Sequence, residues 1–439
     1  MFCIREESCM KKYVIPSALL LLMITTFFIV RQYTNKIKFS YYDEGESSIT
    51  LRLLSTWNMH NEKDSVFLNL ISEYNSSQSL VRIENEYTPE NEHFSKIESD
   101  FSSGNEPDIF ISWPNEEIRQ LVDREKIVIL NEFLKTDNNY YSSFNKSIWK
   151  YVSQDDQIYG LPLESIFVGF YCNTDVLNAA GIKNEPQTYD DLLTDIEILK
   201  RKNIIPISTS LQPDGILIYE ALAASLGMTS SEDPIYSEEN GVCQSYKTAA
   251  EYVKELYEKG AFPSNFLTIS DYESKSIFLN KQAAFTLQYS DFLSNATNIN
   301  KETVQSISLN IFPVFKQDYD SRRPLLYGVG PSTLYVSSKT WKDPEKRNAI
   351  SNFLRFITSG TSMVNITRQR GTFPSVKVPH VEIYSDNYAY QQNYQLYKTI
   401  NEVTAFPNNY VSHEKQLQIY NNFPYYLNNL LSIECCDIL

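Results

Sequence analysis

Two short loops in this 439-residue chain set an indole beside a planar amide: Thr56-Trp57-Asn58 and Trp113-Pro114-Asn115. A flat aromatic face stacks on C–H-rich surfaces, and an amide both donates and accepts hydrogen bonds. Chemistry of that kind holds a ligand rather than breaking a bond. The groups that bond-breaking would need are not arranged for it: there is no GxSxG elbow, HExxH, P-loop or GxGxxG, and "GVGPS" lies in an apolar strand context. The four His (His60, His93, His380, His413) lack metal-ligand spacing and read as surface or loop residues. Six Cys contain no CxxC: Cys3 and Cys9 lie near the start, Cys172 sits in an apolar run and should be buried, Cys243 is alone, and Cys435-Cys436 are adjacent. No catalytic residue, metal or cofactor is therefore expected. Carboxylates are plentiful, but nothing selects the pair a glycoside hydrolase requires.

Composition narrows the partners. A net charge of −15 argues against nucleic acid and against adhesion to an anionic bilayer, both of which need Lys/Arg patches. At 42% hydrophobic and 13% aromatic the chain can bury a large core, and its 31 Tyr suit surfaces that contact ligands part of the time.

Elements must position those two loops. "ITLRLLS" (Ile49 to Ser55) is a strand, and Glu62 through Tyr74 has helical period with Val66, Phe67, Leu70 and Ile71 on one stripe. "LVRIENEY" alternates with period two, a helix follows from Phe94, and "PDIFISW" is another strand. Further on come "QIYGLPLESIFVGFYCNTDVLNAAGI" with a helix ending at Gly181, "IIPISTS", helices from about Leu217 to Leu226 and from Ser245 to Lys259, and "QAAFTLQYSDF". The alternation predicts an α/β fold with a largely parallel sheet, whose ligands bind beyond the carboxyl ends of the strands. Both Trp-bearing loops then share one rim.

Met10-Lys11-Lys12 followed by Val14 to Val30 has the layout of an export leader, and Met10 reads as the start. The exit "FFIVRQYTNK" supplies neither a small-residue cleavage site nor a lipid-accepting Cys. A retained N-terminal membrane anchor is the expectation, with "YYDEGESS" as a tether, so that residues 1–46 are leader, anchor and tether and the body works at the extracellular face of the membrane.

Four stretches carry a family resemblance: "PDIFISWPNEEIRQLVDREKIVILNEFL", "DQIYGLPLESIFVGFYCNTDVLNAAGI", "IFLNKQAAFTLQYSDFLSN", and "YGVGPSTLYVSSKTWKDPEKRNAISNFLRFITSG" with its trailing "RQRGTFPS". In this order and spacing the body resembles the family 1 extracellular solute-binding proteins, the maltose-binding-like receptors of carbohydrate ABC importers. The resemblance implies a two-lobed periplasmic-binding-protein-like fold of type II, with several crossings between lobes. Residues 47–162 with 291–333 would form the first lobe, and 163–290 with 334–439 the second. Hinges would lie near Leu161-Pro162, near Tyr289 to Asp291 and near Thr333-Leu334.

The same resemblance implies ligand contacts from Trp57, Asn58, Trp113 and Asn115 on the first lobe. Glu164, Gln212, Asp214, Tyr289, Asp291 and the backbone at Gly328 and Gly330 would face them. Family members usually carry a stacking Trp at the cross-lobe turn, where this chain reads Tyr289-Ser290-Asp291; the sugar's identity changes with it, and Asp291 suits a ligand rich in donors. The implied function is capture of a mono- or oligosaccharide by a monomeric receptor and delivery to ABC permease subunits. A membrane-anchored sensor of the same fold, using the Tyr/Asn-rich "YSDNYAYQQNYQLYKTI" as a partner surface, is the alternative, and a glycoside-acting enzyme a remote one.

Overall fold

The structure, a computed structural model, describes residues 48–211, 217–227, 239–293, 301–313, 325–329, 331–378, 391, 402–405 and 413–428. The expected anchor, Gln212, Asp214, Gly330 and nearly all of the Tyr/Asn-rich stretch lie outside them. The chain divides into Met1–Ser48 and Ile49–Leu439, and only the second of these units is described below. Among the described residues no helix is long and apolar enough to cross a membrane.

Three parallel strands open the body: β1 (Ile49–Ser55), β2 (Val81–Tyr87) and β3 (Ile109–Ser112), linked by helices α1 (Glu62–Ser77) and α2 (Glu90–Ser103). Helix α1 starts where the Asn61 side chain accepts from the Lys63 amide, and it buries Phe67, Leu70, Ile71 and Tyr74. Those residues extend the stripe expected from the sequence by one turn. A hairpin of β4 (Ser153–Gln154) and β5 (Gln157–Ile158) leads into β6 (Leu161–Pro162).

One residue later the chain is in a different sheet. Strand β7 (Glu164–Asn173) is almost continuously apolar and buried from Phe167 onward, as a central strand must be. Strands β8 (Ile205–Ile207), β9 (Ala283–Tyr289), β10 (Ile307–Asn310) and β11 (Leu325–Val329) assemble around it. Gly169 lets β10 come close: a Cβ there would meet the Leu309 Cδ1 at 2.1 Å. Next, β12 (Thr333–Val336) returns to the first sheet, giving it the order β2-β1-β3-β12-β6, with β12 antiparallel to both neighbours. Strand β13 (Phe373–Pro374) pairs with the start of β7, and β14 (Glu402–Ala405) with β11.

Both sheets are therefore mixed, not largely parallel, and the division of the chain departs from expectation in three places. The segment 291–333 does not belong with the first lobe, since β10 and β11 both pair with β7. The segment after 334 does not pass wholly to the second: helices Pro344–Ile357 and Gly360–Arg370 bury Ile350, Phe353, Leu354, Ile357, Met363 and Ile366 in the first core. Tyr289–Asp291 is no crossing, because the strands on both sides of it, β9 and β10, lie in the second sheet. Among the described residues the chain crosses at Leu163, at Pro331–Ser332, and around 371–376, where β13 touches β7 before Val376 rejoins the first core; since β14 pairs with β11, it must pass to the second sheet once more between Val378 and Glu402. Period and propensity identify a strand, but which sheet it joins depends on edges made by residues far away in the sequence.

Within the second core, helix Tyr189–Arg201 carries Asp195, which is 8% exposed. Burial, aided by the charge of Asp191, pushes its carboxyl up to about 6. The folded chain thus binds a proton there that the unfolded chain releases, and stability falls as pH rises from about 4 to 6. Asp195→Asn is expected to stabilise the protein at pH 7 by on the order of 2 kcal/mol. Urea unfolding at pH 7 and pH 4 checks this, because the gain should vanish at the lower pH.

Candidate functional site

Since β1, β2 and β3 run parallel, their carboxyl ends share one edge. Ser55 lies opposite Tyr87, Ser112 opposite Thr333, and Thr333 opposite Pro162. In the second sheet β9 ends at Tyr289, opposite Val168 near the start of β7, where the Ser290 amide donates to the Phe167 carbonyl at 2.8 Å, and β8, parallel to β9, ends opposite Phe285. Only Leu163 separates β6 from β7, so the loop-bearing edges of the two sheets adjoin at the crossings. That is where an α/β sheet binds ligands.

The structure sorts the expected contacts. Trp113 is half-buried, edge-on to His93 at 6.2 Å and tilted against Phe94 at 6.4 Å between ring centroids, so part of its indole stays at the rim. Trp57 does not: it is 2% exposed, edge-on to Phe67 at 4.5 Å, and the Arg370 guanidinium lies 4.6 Å from its ring centroid. It is a core residue in this arrangement. Asn58 is half-buried, and its side-chain oxygen accepts from the amides of His60 (2.8 Å) and Asn61 (3.1 Å), closing its own turn. Asn115 is buried and caps helix α3 (Glu116–Asp123) by accepting from the Ile118 amide at 3.1 Å. Tyr289 is half-buried against the second core, and Asp291 stands half-buried at the turn after it.

Glu164 faces inward. It is 4% exposed, with Ser332 Oγ donating to Oε1 at 2.7 Å and Thr372 Oγ1 (2.7 Å) and Arg370 Nε (3.0 Å) donating to Oε2. Burial opposes its charge, but the Arg370 guanidinium and these donors outweigh burial and hold the carboxyl below its ordinary range. Arg370 Nη1 also donates to Asp64 Oδ1 at 2.5 Å. Burial keeps the Asp64 carboxyl above its usual value despite that guanidinium. Burial likewise raises Asp291, against the pull of Lys63, whose Nζ is 3.9 Å from Oδ2. One half-buried cation thus serves two buried carboxylates, and the Asp291 charge also raises the Arg370 pKa.

Sequence reasoning passed over several residues here. Asp64 hides in the first turn of an amphipathic helix, and Arg370 lies inside "RQRGTFPS" with no local feature marking it. Tyr87 (48% exposed) and Met59 (61% exposed) stand at the rim of the first sheet; the signal for Tyr87 was its place at the end of a period-two strand. His93, expected at the surface, is fully buried, with Nε2 2.8 Å from the Ile111 carbonyl and Nδ1 3.4 Å from Thr88 Oγ1. Burial lowers its pKa, so it supports the Trp113 loop as a neutral ring. Ser112, at the end of β3, and Ser210, just beyond β8, bury hydroxyls that have no hydrogen-bond partner among the described residues. Also among those residues, no three His, Cys, Asp or Glu are grouped to hold a metal ion.

No curated protein matches the sequence. The fold, by contrast, is shared with many solved structures. A chitin oligosaccharide binding protein superposes with a TM-score of 0.71 at 18% identity, covering 88% of this chain and 96% of that one. A sugar transporter from Bacillus licheniformis in complex with stachyose gives 0.62 at 18%, covering 89% and 97%. A maltose-bound protein of T. maritima gives 0.67 at 15%, covering 89% and 98%. These likenesses establish the two-lobed solute-binding fold. Residues 69–382, well over half of the chain, match the family described as bacterial extracellular solute-binding protein. With its mixed α/β lobes and the rim between them, this chain belongs to that family.

Proposed function

We propose that the protein captures a carbohydrate, a mono- or oligosaccharide, between its lobes and delivers it to the permease subunits of an ABC importer. The observation that carries this is the half-buried Trp113 at the carboxyl end of β3, with Tyr87 exposed at the end of β2 on the same edge. Flat faces stack on sugar rings. The buried hydroxyls of Ser112 and Ser210 suit a ligand rich in donors and acceptors. Solved neighbours of the same fold hold stachyose or maltose. Closure around such a ligand would give the permease a shape distinct from the empty one.

The basic start and the apolar run Val14–Val30 are taken to keep the receptor on the outer face of the membrane as a retained anchor. N-terminal sequencing of the mature protein tests that part: a terminus at residue 31 or beyond overturns it.

Ligand class is tested by thermal shift against a panel of mono- and oligosaccharides. A ligand bound only by the folded chain must raise the melting temperature at concentrations well above its Kd. Trp113→Ala should then weaken the sugar that binds by roughly tenfold, the value of one aromatic stacking contact. No shift across a broad panel would sink the carbohydrate reading.

A further inference from the structure

Glu164 sits where the three crossings among the described residues meet. It is the first residue of β7, one residue beyond β6 of the other sheet. Its Oε1 accepts from Ser332, in the second crossing, and its Oε2 from Thr372, in the third. Opposite Glu164 in the sheet register is Pro374 of that same third crossing. These contacts tie Leu163, Pro331–Ser332 and 371–376 at one carboxylate. Arg370 continues the link into the first lobe: Nε on Glu164, Nη1 on Asp64 of α1, and its guanidinium plane against Trp57 in the loop after β1.

We propose that Glu164 and Arg370 are positioning residues that set the angle between the lobes and tie it to the Trp57 loop. Hinge bending at Leu163 must carry Glu164 relative to Asp64 and Trp57, because these belong to different lobes. Arg370 bridges that moving joint. With the knot intact, these three crossings bend together and the first rim loop follows them. With it cut, each crossing bends independently, and the lobes sample a wider range of angles. The inference rests on the two-lobed fold and on hydrogen bonds made by the chain itself, and it holds whatever the ligand is.

The test uses the full-length chain in detergent without ligand. Spin labels carried on unnatural amino acids replace the exposed Glu98 of the first lobe and Thr194 of the second, and pulsed electron–electron resonance reads the interlobe distance distribution. Glu164→Gln keeps the shape but removes the charge that holds Arg370, and Arg370→Lys keeps the charge but loses the fork. Both should broaden the distribution by about twofold or split it into two populations. Asp108→Asn is the control. Asp108 is buried wholly within the first lobe, accepting from Thr340 (2.8 Å) and Lys346 (2.9 Å), so its loss should lower the melting temperature and leave the distribution unchanged. Should Glu164→Gln fail to fold, Ser332→Ala and Thr372→Val each remove one strand of the knot and carry the same expectation. A distribution superimposable on the wild type in the folded variants, with only the melting temperature lowered, overturns the proposal.

Discussion

Arg370→Ala is expected to destabilise the folded chain by about 3–5 kcal/mol, the usual consequence of stripping a buried charge from its partners. Two carboxylates lose their counter-ion at once, Asp64 at 3% exposure and Glu164 at 4%. The loss should depend on pH, and its sign follows from the two states. In the wild type Glu164 titrates below its ordinary range, so the stability it contributes is full above the unfolded pKa and is lost as pH falls. In the variant, burial without the guanidinium raises Glu164 above its unfolded value and pushes Asp64, already raised in the wild type, further up, so stability rises as pH falls through that range. Urea unfolding from pH 8 to pH 4 should therefore show the two proteins converging on the acid side. A constant gap across that range would mean that the lost packing of the side chain, not its charge, set the cost.

Trp57→Ala should cost a similar amount, about 3–5 kcal/mol, because it removes a large buried aromatic and leaves a cavity. Its ring is held edge-on by Phe67 and covered by Arg370, so the substitution also frees the guanidinium that the carboxylates depend on. A rim-exposed stacking residue would behave otherwise, with little change in the ligand-free protein and a large change in affinity. Thermal unfolding without ligand separates the two: a melting temperature within a degree or so of the wild type would put Trp57 back among the ligand contacts. Trp113→Ala, at a half-buried site, should perturb the ligand-free protein much less.

Much of the architecture was legible before any coordinates. The Ile49–Ser55 strand, the α1 stripe, the helix closed by Gly181 in the left-handed conformation and the Ala283–Tyr289 strand all follow from period and punctuation, which act over a few residues. The rim followed too, since parallel strands alternating with helices leave their carboxyl ends on one edge. The division into lobes did not follow. β10 and β11 carry no local mark of their sheet, and only the edge of β7 opposite β9 decides where they pair. His93 shows the same limit on the scale of one side chain, buried because α2 lays it beneath the Trp113 loop.

By itself the sequence determined the class of elements, the loops that end the first strands, and, through four motifs in order, the solute-binding family. Those properties depend on local patterning and on spacing along the chain. The tertiary structure decided which side of each loop residue faces inward: Trp57 and Glu164 became interior, Trp113 and Tyr87 stayed at the rim, and Asp64 and Arg370, 306 residues apart, became partners. No local signal could foresee that last pairing. A buried carboxylate must find a cation, and which cation reaches it is settled only when distant stretches of the chain converge on the same joint.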